Sequence, residues 1–214
     1  MSHAWLKQYP DNVGPTIDIQ EGSCIAGLVE EACKKFPEKK ALTCMGTSIT
    51  FRQFDRLAND FAAYLQNELK LEKGERIAIM LPNIIQFPII LLAATKIGAV
   101  CVNTNPLYTP REMKHQFKDS GAKVLVILNF FLDKLEEIIK DTDIQHVVVT
   151  SIGDQMPAWK GLLIDTVLKI KGEVPKHGLN VTNFKSALSS GSGNSYKKPR
   201  IDLDDVAVLQ YTGG

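Results

Sequence analysis

Four short apolar runs recur along this chain at nearly even intervals, and their spacing constrains the fold more than any other feature. They begin at Ile77, Val100, Val124 and Val147, separated by 23, 24 and 23 residues. That interval is the length of one strand plus a helix returning to start the next. The runs differ in sequence, so the repeated thing is a βα unit and not a sequence repeat. Residues 77–81 are wholly apolar, the mark of a strand covered on both faces, and Pro82-Asn83 breaks the run before a helix expected over 84–97. Gly98 ends that helix, 99–102 is the next strand, and Asn103-Thr104-Asn105-Pro106 makes the turn at its carboxyl end. Thr109 and Glu112 form a capping box around Pro110, Met113 and Phe117 face inward, and Gly121 follows the helix. A strand over 124–128, a helix marked by Phe131, Leu132, Leu135, Ile138 and Ile139, and a strand over 147–149 complete the series. Right-handed crossovers make this an α/β fold, a parallel sheet with helices on both faces. In such sheets ligands bind beyond the carboxyl ends of the strands. Here those ends are Pro82-Asn83, residues 103–106, and the terminal Tyr211, Thr212, Gly213 and Gly214.

The flanking segments read differently. Residues 1–20 mix Tyr9, Pro10, Asn12, Gly14 and Pro15 and suggest an irregular arm; 21–214 form the main body. Ile25, Leu28, Val29, Ala32, Cys33 and Phe36 mark a first helix with one buried face, closed by Pro37. Residues 41–45 and 48–50 form a hairpin around Gly46-Thr47, and a second capping box, Thr50 with Gln53, opens a helix burying Phe51, Phe54, Leu57, Phe61 and Leu65. Between 151 and 205 the βα rhythm lapses. Trp159, Leu162, Leu163, Val167 and Ile170 form one apolar helical face beside Lys160, Lys169, Lys171 and Lys176. Such a helix suits an anionic membrane surface, but the commoner arrangement, and the one expected, packs the apolar face on the sheet and leaves the lysines in water. Residues 189–195 read as a flexible Ser/Gly loop. Asp202, Asp204 and Asp205 could bind a metal, although acidic residues before a strand more often solvate a turn.

Composition narrows the function. With 25 basic and 24 acidic residues the net charge is +1, so no overall field recruits nucleic acid. Cys24, Cys33, Cys44 and Cys101 lie at wide spacings with no C-x-x-C pair, as expected for reduced cysteines in a cytosolic protein. The amino terminus has no secretory apolar region, and the apolar stretch over 84–102 is interrupted by Gln86, Pro88, Lys96 and Gly98. His3, His115, His146 and His177 are isolated, and neither a Ser-His-Asp order nor a zinc spacing is present. The suggestive chemistry lies at the end: the strand over 206–210 runs into Tyr211-Thr212-Gly213-Gly214, where backbone N–H groups could meet a phosphate.

The blocks WLKQYP (5–10), LPNIIQFPI (81–89), VNTNPLYTPRE (102–112), DSGA (119–122) and DLDDVAVLQYTGG (202–214), with Thr50-Phe51-Arg52 opening a helix, carry a resemblance over essentially the whole sequence. The chain resembles the amino-terminal part of bacterial long-chain fatty acyl-CoA synthetases, members of the adenylate-forming enzymes. The resemblance implies a parent enzyme that converts a long-chain fatty acid and ATP, with Mg²⁺, to an acyl-adenylate and passes the acyl group to coenzyme A. It also implies a cytoplasmic location with peripheral contact at the inner face of the cytoplasmic membrane, and it admits a homodimer.

In that family the phosphate loop continues from Tyr-Thr-Gly-Gly into Thr-Thr-Gly, two variable residues and Lys-Gly. Tyr211, Thr212, Gly213 and Gly214 match its beginning and are the implied nucleotide-binding residues. The rest of the loop, the adenine and ribose contacts, the magnesium-associated glutamate and the mobile carboxyl-terminal domain with its lysine are expected beyond Gly214. No catalytic residue and no metal ligand is therefore assigned within 1–214, and these residues alone are expected to be inactive. The alternative is a stand-alone α/β module binding lipid or a membrane surface, its final glycines a tail.

Overall fold

The computed structural model describes residues 4–16 and 24–212. In chain order the strands are β1 (Lys40–Cys44), β2 (Thr47–Thr50), β3 (Arg76–Met80), β4 (Val100–Asn103), β5 (Val124–Leu128), β6 (His146–Thr150), β7 (Thr182–Asn183) and β8 (Val208–Gln210). The helices are α1 (Ile25–Lys35), α2 (Phe51–Asn67), α3 (Gln86–Lys96), α4 (Pro110–Ser120), α5 (Leu132–Ile138), α6 (Ala158–Ile170) and α7 (Phe184–Gly191). β1 and β2 form an antiparallel hairpin whose turn is Met45-Gly46, both at positive φ, one residue earlier than expected. The other six strands make one parallel sheet in the order β7-β6-β5-β3-β4-β8.

β3 lies where the connections change direction. α3 carries the chain from β3 to β4 on one side, whereas α4 and α5 carry it the opposite way, and crossovers of one hand then put these helices on opposite faces. The cores agree. Ile77 and Ile79 of β3 pack with α3, α2 and α7 through residues such as Ile89, Phe61 and Phe184, while Ala78 and Met80 pack with Met113 and Phe117 of α4 and Leu135 of α5. The period of two along β3 thus feeds both faces, which is why the run is apolar throughout.

Local signals explain the helix boundaries. At α2, the Gln53 N–H donates to Thr50 Oγ1 at 3.2 Å and the Thr50 N–H to Gln53 Oε1 at 2.9 Å. At α4, the Thr109 N–H donates to Glu112 Oε2 at 2.7 Å, and Gly121 ends the helix at φ 59°, the left-handed conformation glycine adopts without strain.

Three expectations need correction. In α1, Ala26 and Cys33 are buried but Ile25 and Leu28 are exposed, because the helix meets the domain along a narrower stripe than its apolar pattern suggests. Residues 189–195 are not wholly a loop: α7 runs to Gly191, with Phe184, Ala187 and Leu188 buried and the Phe184 ring 5.2 Å from that of Phe61. The apolar face of α6 does not pack on the sheet. Trp159, Leu162, Leu163, Val167 and Ile170 are all exposed, and the helix meets the domain through Gly161 instead. In the arm, Ala4–Gln8 is a short 3₁₀ turn with no buried residue, and the parts of the expected arm over 1–3 and 17–20 lie outside the described residues.

Candidate active-site wall

The sheet register sets three strand ends at one level. Ile79 of β3 is level with Asn103 of β4, and Asn103 is level with Gln210 of β8. The turns expected to border a site, those after β3, β4 and β8, therefore emerge side by side, next to the place where the connections change face. On this row the Asn103 Nδ2 group donates to Gln210 Oε1 at 3.1 Å. Behind it, buried Gln116 of α4 donates from Nε2 to the Asn103 carbonyl at 3.0 Å, and the Thr104 N–H bonds the Ile79 carbonyl at 3.0 Å. The Asn105 side chain accepts from the Leu107 N–H at 3.0 Å, which folds the turn back toward α4.

Of the terminal motif, Tyr211 and Thr212 lie just beyond β8, and Thr212 is exposed; Gly213 and Gly214 lie outside the described residues. The Tyr211 ring packs against the core on the α4 face, and its hydroxyl donates to Asp119 Oδ2 at 2.6 Å. Burial, together with the hydrogen bond to the Asp119 carboxylate, pushes the phenol up to about 12, so it stays protonated at neutral pH. Tyr211 thus anchors the strand end, and Thr212 is the first motif residue turned to solvent. β8 is also fixed where it enters. Lys73 pairs with Asp205 at 2.6 Å and donates to the Arg200 carbonyl at 2.9 Å, and Asp205 caps the Asp202 N–H at 2.7 Å. The aspartates before β8 build a turn, and no group of three or more His, Cys, Asp or Glu suited to a metal is gathered among the described residues.

Neither Gln116 nor Asp119 stands out as a site residue in the sequence. Gln116 sits beside Phe117 on the inward side of α4 and carries the signature of a buried polar residue; nothing local marks Asp119 as a partner of Tyr211, 92 positions away. A further unforeseen group lies beyond β6. Buried Gln86 donates to Thr150 Oγ1 at 3.1 Å and to the Ser151 carbonyl at 2.7 Å, and Ser151 Oγ lies 3.0 Å from Asp154 and 3.1 Å from Asp165 of α6. These contacts fix the amino end of α3 and one side of α6.

The structure is thus an α/β protein whose parallel sheet aligns the turns after β3, β4 and β8 at its ligand-side end. Residues 29–214 match the family described as AMP-binding enzyme, and the chain belongs to that family. It is 43% identical over its whole length to the long-chain-fatty-acid–CoA ligase of Yersinia pestis, and 41% identical to that of Salmonella typhimurium. It is 30% identical over 98% of its length to the long-chain-fatty-acid–CoA ligase of Bacillus subtilis. The chain spans 38% of the length of each of these relatives. Among solved structures, a long-chain-fatty-acid-CoA ligase from Archaeoglobus fulgidus superposes with a TM-score of 0.69 at 21% identity, over 88% of this chain and 34% of that one. An anthranilate CoA ligase in complex with anthranoyl-AMP gives 0.70 at 21% identity, over 88% of this chain and 31% of its own. At such identity these two support the α/β fold alone.

Proposed function

We propose that this chain forms part of an AMP-forming long-chain-fatty-acid–CoA ligase and supplies the wall of its ATP site at the carboxyl ends of β3, β4 and β8. The observation that carries the reading is the alignment of Asn103 and Gln210 on one row, with Tyr211 anchored on Asp119 and Thr212 exposed beside them. Adenylation joins a carboxylate to the α-phosphate of ATP and releases pyrophosphate; a thiol, that of coenzyme A, then displaces AMP. Both reacting partners of the first step are anions, so donors fixed in advance are needed where they meet.

The residues in hand contribute positioning. Tyr211 fixes the direction in which the chain leaves β8, and Thr212, Gly213 and Gly214 follow as the start of a phosphate-binding turn. Glycines suit that position because a side chain would hold the phosphate away from backbone N–H groups. Mg²⁺, which would offset phosphate charge when bound, is assigned to no residue of 1–214. No residue of 1–214 is assigned to either chemical step. A cytoplasmic location follows from a substrate set of ATP and coenzyme A, and peripheral contact with a membrane from a fatty acid that partitions into bilayers.

A chimera tests this reading. The chain replaces the matching 38% of the Yersinia pestis ligase, and formation of palmitoyl-CoA, AMP and pyrophosphate from palmitate, ATP and coenzyme A is measured beside residues 1–214 alone. The chimera is expected to turn over and the isolated chain to make no product. A folded chimera without acyl-CoA formation overturns the assignment, and robust turnover by 1–214 overturns the division of labour.

A further inference from the structure

The strand ends that carry the candidate site are held from both faces of the sheet by one closed set of hydrogen bonds. Asn103 and Gln210 are level neighbours on β4 and β8. The period of two puts their side chains on the face shared with Cys101 and Val208, and there Asn103 Nδ2 donates to Gln210 Oε1 at 3.1 Å. On the opposite face Gln116 Nε2 donates to the Asn103 carbonyl at 3.0 Å, and the Tyr211 hydroxyl donates to Asp119 Oδ2 at 2.6 Å. Gln116 and Asp119 are three residues apart on α4, hence neighbours on one side of it, and Tyr211 directly follows Gln210. The ring therefore runs from Asn103 through Gln116, Asp119, Tyr211 and Gln210 back to Asn103, with α4 as its rigid member.

Asp119 is the member whose place α4 itself does not explain. A carboxylate in the last turn of a helix faces the partial negative charge of the terminal carbonyls, so the helix alone favours a cation or a neutral residue there. What the carboxylate does serve is the Tyr211 phenol, through a short, charge-assisted bond. Tyr211 is also the point at which the ring ends and the motif begins, because Thr212, the next residue, is exposed.

We propose that Asp119 is a positioning residue for the nucleotide site: by holding the Tyr211 hydroxyl on α4, it sets the direction in which residues 212–214 leave the sheet to meet phosphate. The inference rests on the ligase reading for the identity of the ligand, whereas the clamp on the strand end stands without it. Asp119 touches no reacting group and acts through Tyr211. Its loss therefore weakens the capture of ATP, whose donors are no longer fixed in advance, and spares the handling of the fatty acid and of coenzyme A.

The test places Asp119→Ala and Asp119→Asn in the ligase chimera, the second variant keeping an acceptor oxygen for the phenol. Asp119 is exposed, and circular dichroism verifies the fold of each variant. Hydrogen–deuterium exchange over residues 208–214 is expected to quicken about tenfold in Asp119→Ala and to stay within about twofold of native in Asp119→Asn. The KM for ATP is expected to rise about tenfold in Asp119→Ala, with the KM values for palmitate and coenzyme A unmoved, and Asp119→Asn is expected to recover most of the loss. The proposal is overturned by native exchange in Asp119→Ala, by an unmoved KM for ATP, by equal rises in all three KM values, or by an asparagine variant that behaves as the alanine one. A native chimera that makes no acyl-CoA overturns the ligase reading instead, and the exchange comparison then decides the clamp by itself.

Discussion

The hydroxyl of Tyr211 donates a 2.6 Å hydrogen bond to Oδ2 of Asp119, joining the end of β8 to the last turn of α4. This bond holds the start of the terminal motif against the domain, and it does so with a proton that leaves only at high pH. Burial and the neighbouring carboxylate raise the phenol from 10.0 to about 12. An acid whose folded value is raised binds its proton more tightly in the native state, so the contribution is complete below pH 10 and is lost between about 10 and 12.

Tyr211→Phe removes this linkage. At pH 7 the variant is expected to lose about 1 kcal/mol, the usual net worth of such a bond at a partly exposed site. Urea unfolding between pH 8 and 12 should show the native chain weakening more steeply than the variant above pH 10. Parallel profiles would mean that the phenol does not carry the bond.

Lys96 occupies a different setting. Its side chain is 2% exposed, and its ammonium lies 2.9 Å from both Glu30 Oε1 and Asp55 Oδ1, joining α3 to α1 and α2. Burial disfavours the charge, but the two carboxylates outweigh it and raise the lysine. Burial likewise pushes the Glu30 carboxyl up, and hydrogen bonds from Lys198 and Lys96 bring it below its ordinary 4.5. Lys96→Met leaves carboxylates facing each other at a packed junction, and a cost of about 3–5 kcal/mol is expected in urea unfolding at pH 7. Because a lowered carboxyl stabilises the fold above pH 4.5 and loses that effect on acidification, the gap between native chain and variant should narrow below pH 4.5. Adding Glu30→Gln and Asp55→Asn to Lys96→Met should restore part of the loss.

Lys96 also marks the limit of what the sequence conveys. It reads there as an interruption of an apolar stretch, and its position is explained only by two carboxylates 66 and 41 residues earlier. Strands β3 to β6 and both capping boxes are legible because their signals are local: continuous apolar runs, a hydroxyl three residues before a Glu or Gln, a glycine after a helix. The three turns of the candidate site could be named from the strand ends, but their alignment depends on β8 pairing with β4, a contact between residues more than 100 positions apart. The sequence does not convey that the apolar face of α6 points outward, because apolar periodicity marks a continuous apolar face but not what covers it. The likeness of residues 211–214 to the start of a phosphate loop is legible through family resemblance; the anchoring of Tyr211 on Asp119 is not.

Gly191 is the residue whose role the Ser/Gly reading concealed. A Cβ there would lie 1.8 Å from the Asp60 carbonyl oxygen and 3.0 Å from the Tyr64 nitrogen, so α7 and α2 touch backbone to backbone at this point. Gly191→Ala must separate the two helices and disturb the Phe61–Phe184 contact between them. A loss of about 1–3 kcal/mol, the range for overpacking, is expected as a lowered thermal midpoint. Gly193, two residues on, has open space around it at φ 78°, and Gly193→Ala should cost less, through backbone strain alone. Equal effects at the two positions would show that helix contact is not what Gly191 serves.

Gln116 links the core to the candidate site, and its replacement separates stability from function. Its Nε2 group is the side-chain donor to the Asn103 carbonyl, on the row from which the β4 turn and the terminal motif both leave. Gln116→Met keeps the volume and removes that donor from the half-buried Asn103 carbonyl, but it also removes the buried Gln116 Oε1, which has no partner, so a loss of about 1 kcal/mol is expected. Asn103 also holds Gln210, so the turn after β4 and the start of the motif should both loosen. In the ligase chimera the expected consequence is a raised KM for ATP, because the donors that meet the phosphates are no longer fixed in advance. Gly191→Ala, which acts on the opposite face of the sheet, should lower the thermal midpoint with little change in that KM. If Gln116→Met alters stability but leaves the KM for ATP where Gly191→Ala leaves it, the row at Asn103 and Gln210 is a structural seam and not a wall of the nucleotide site.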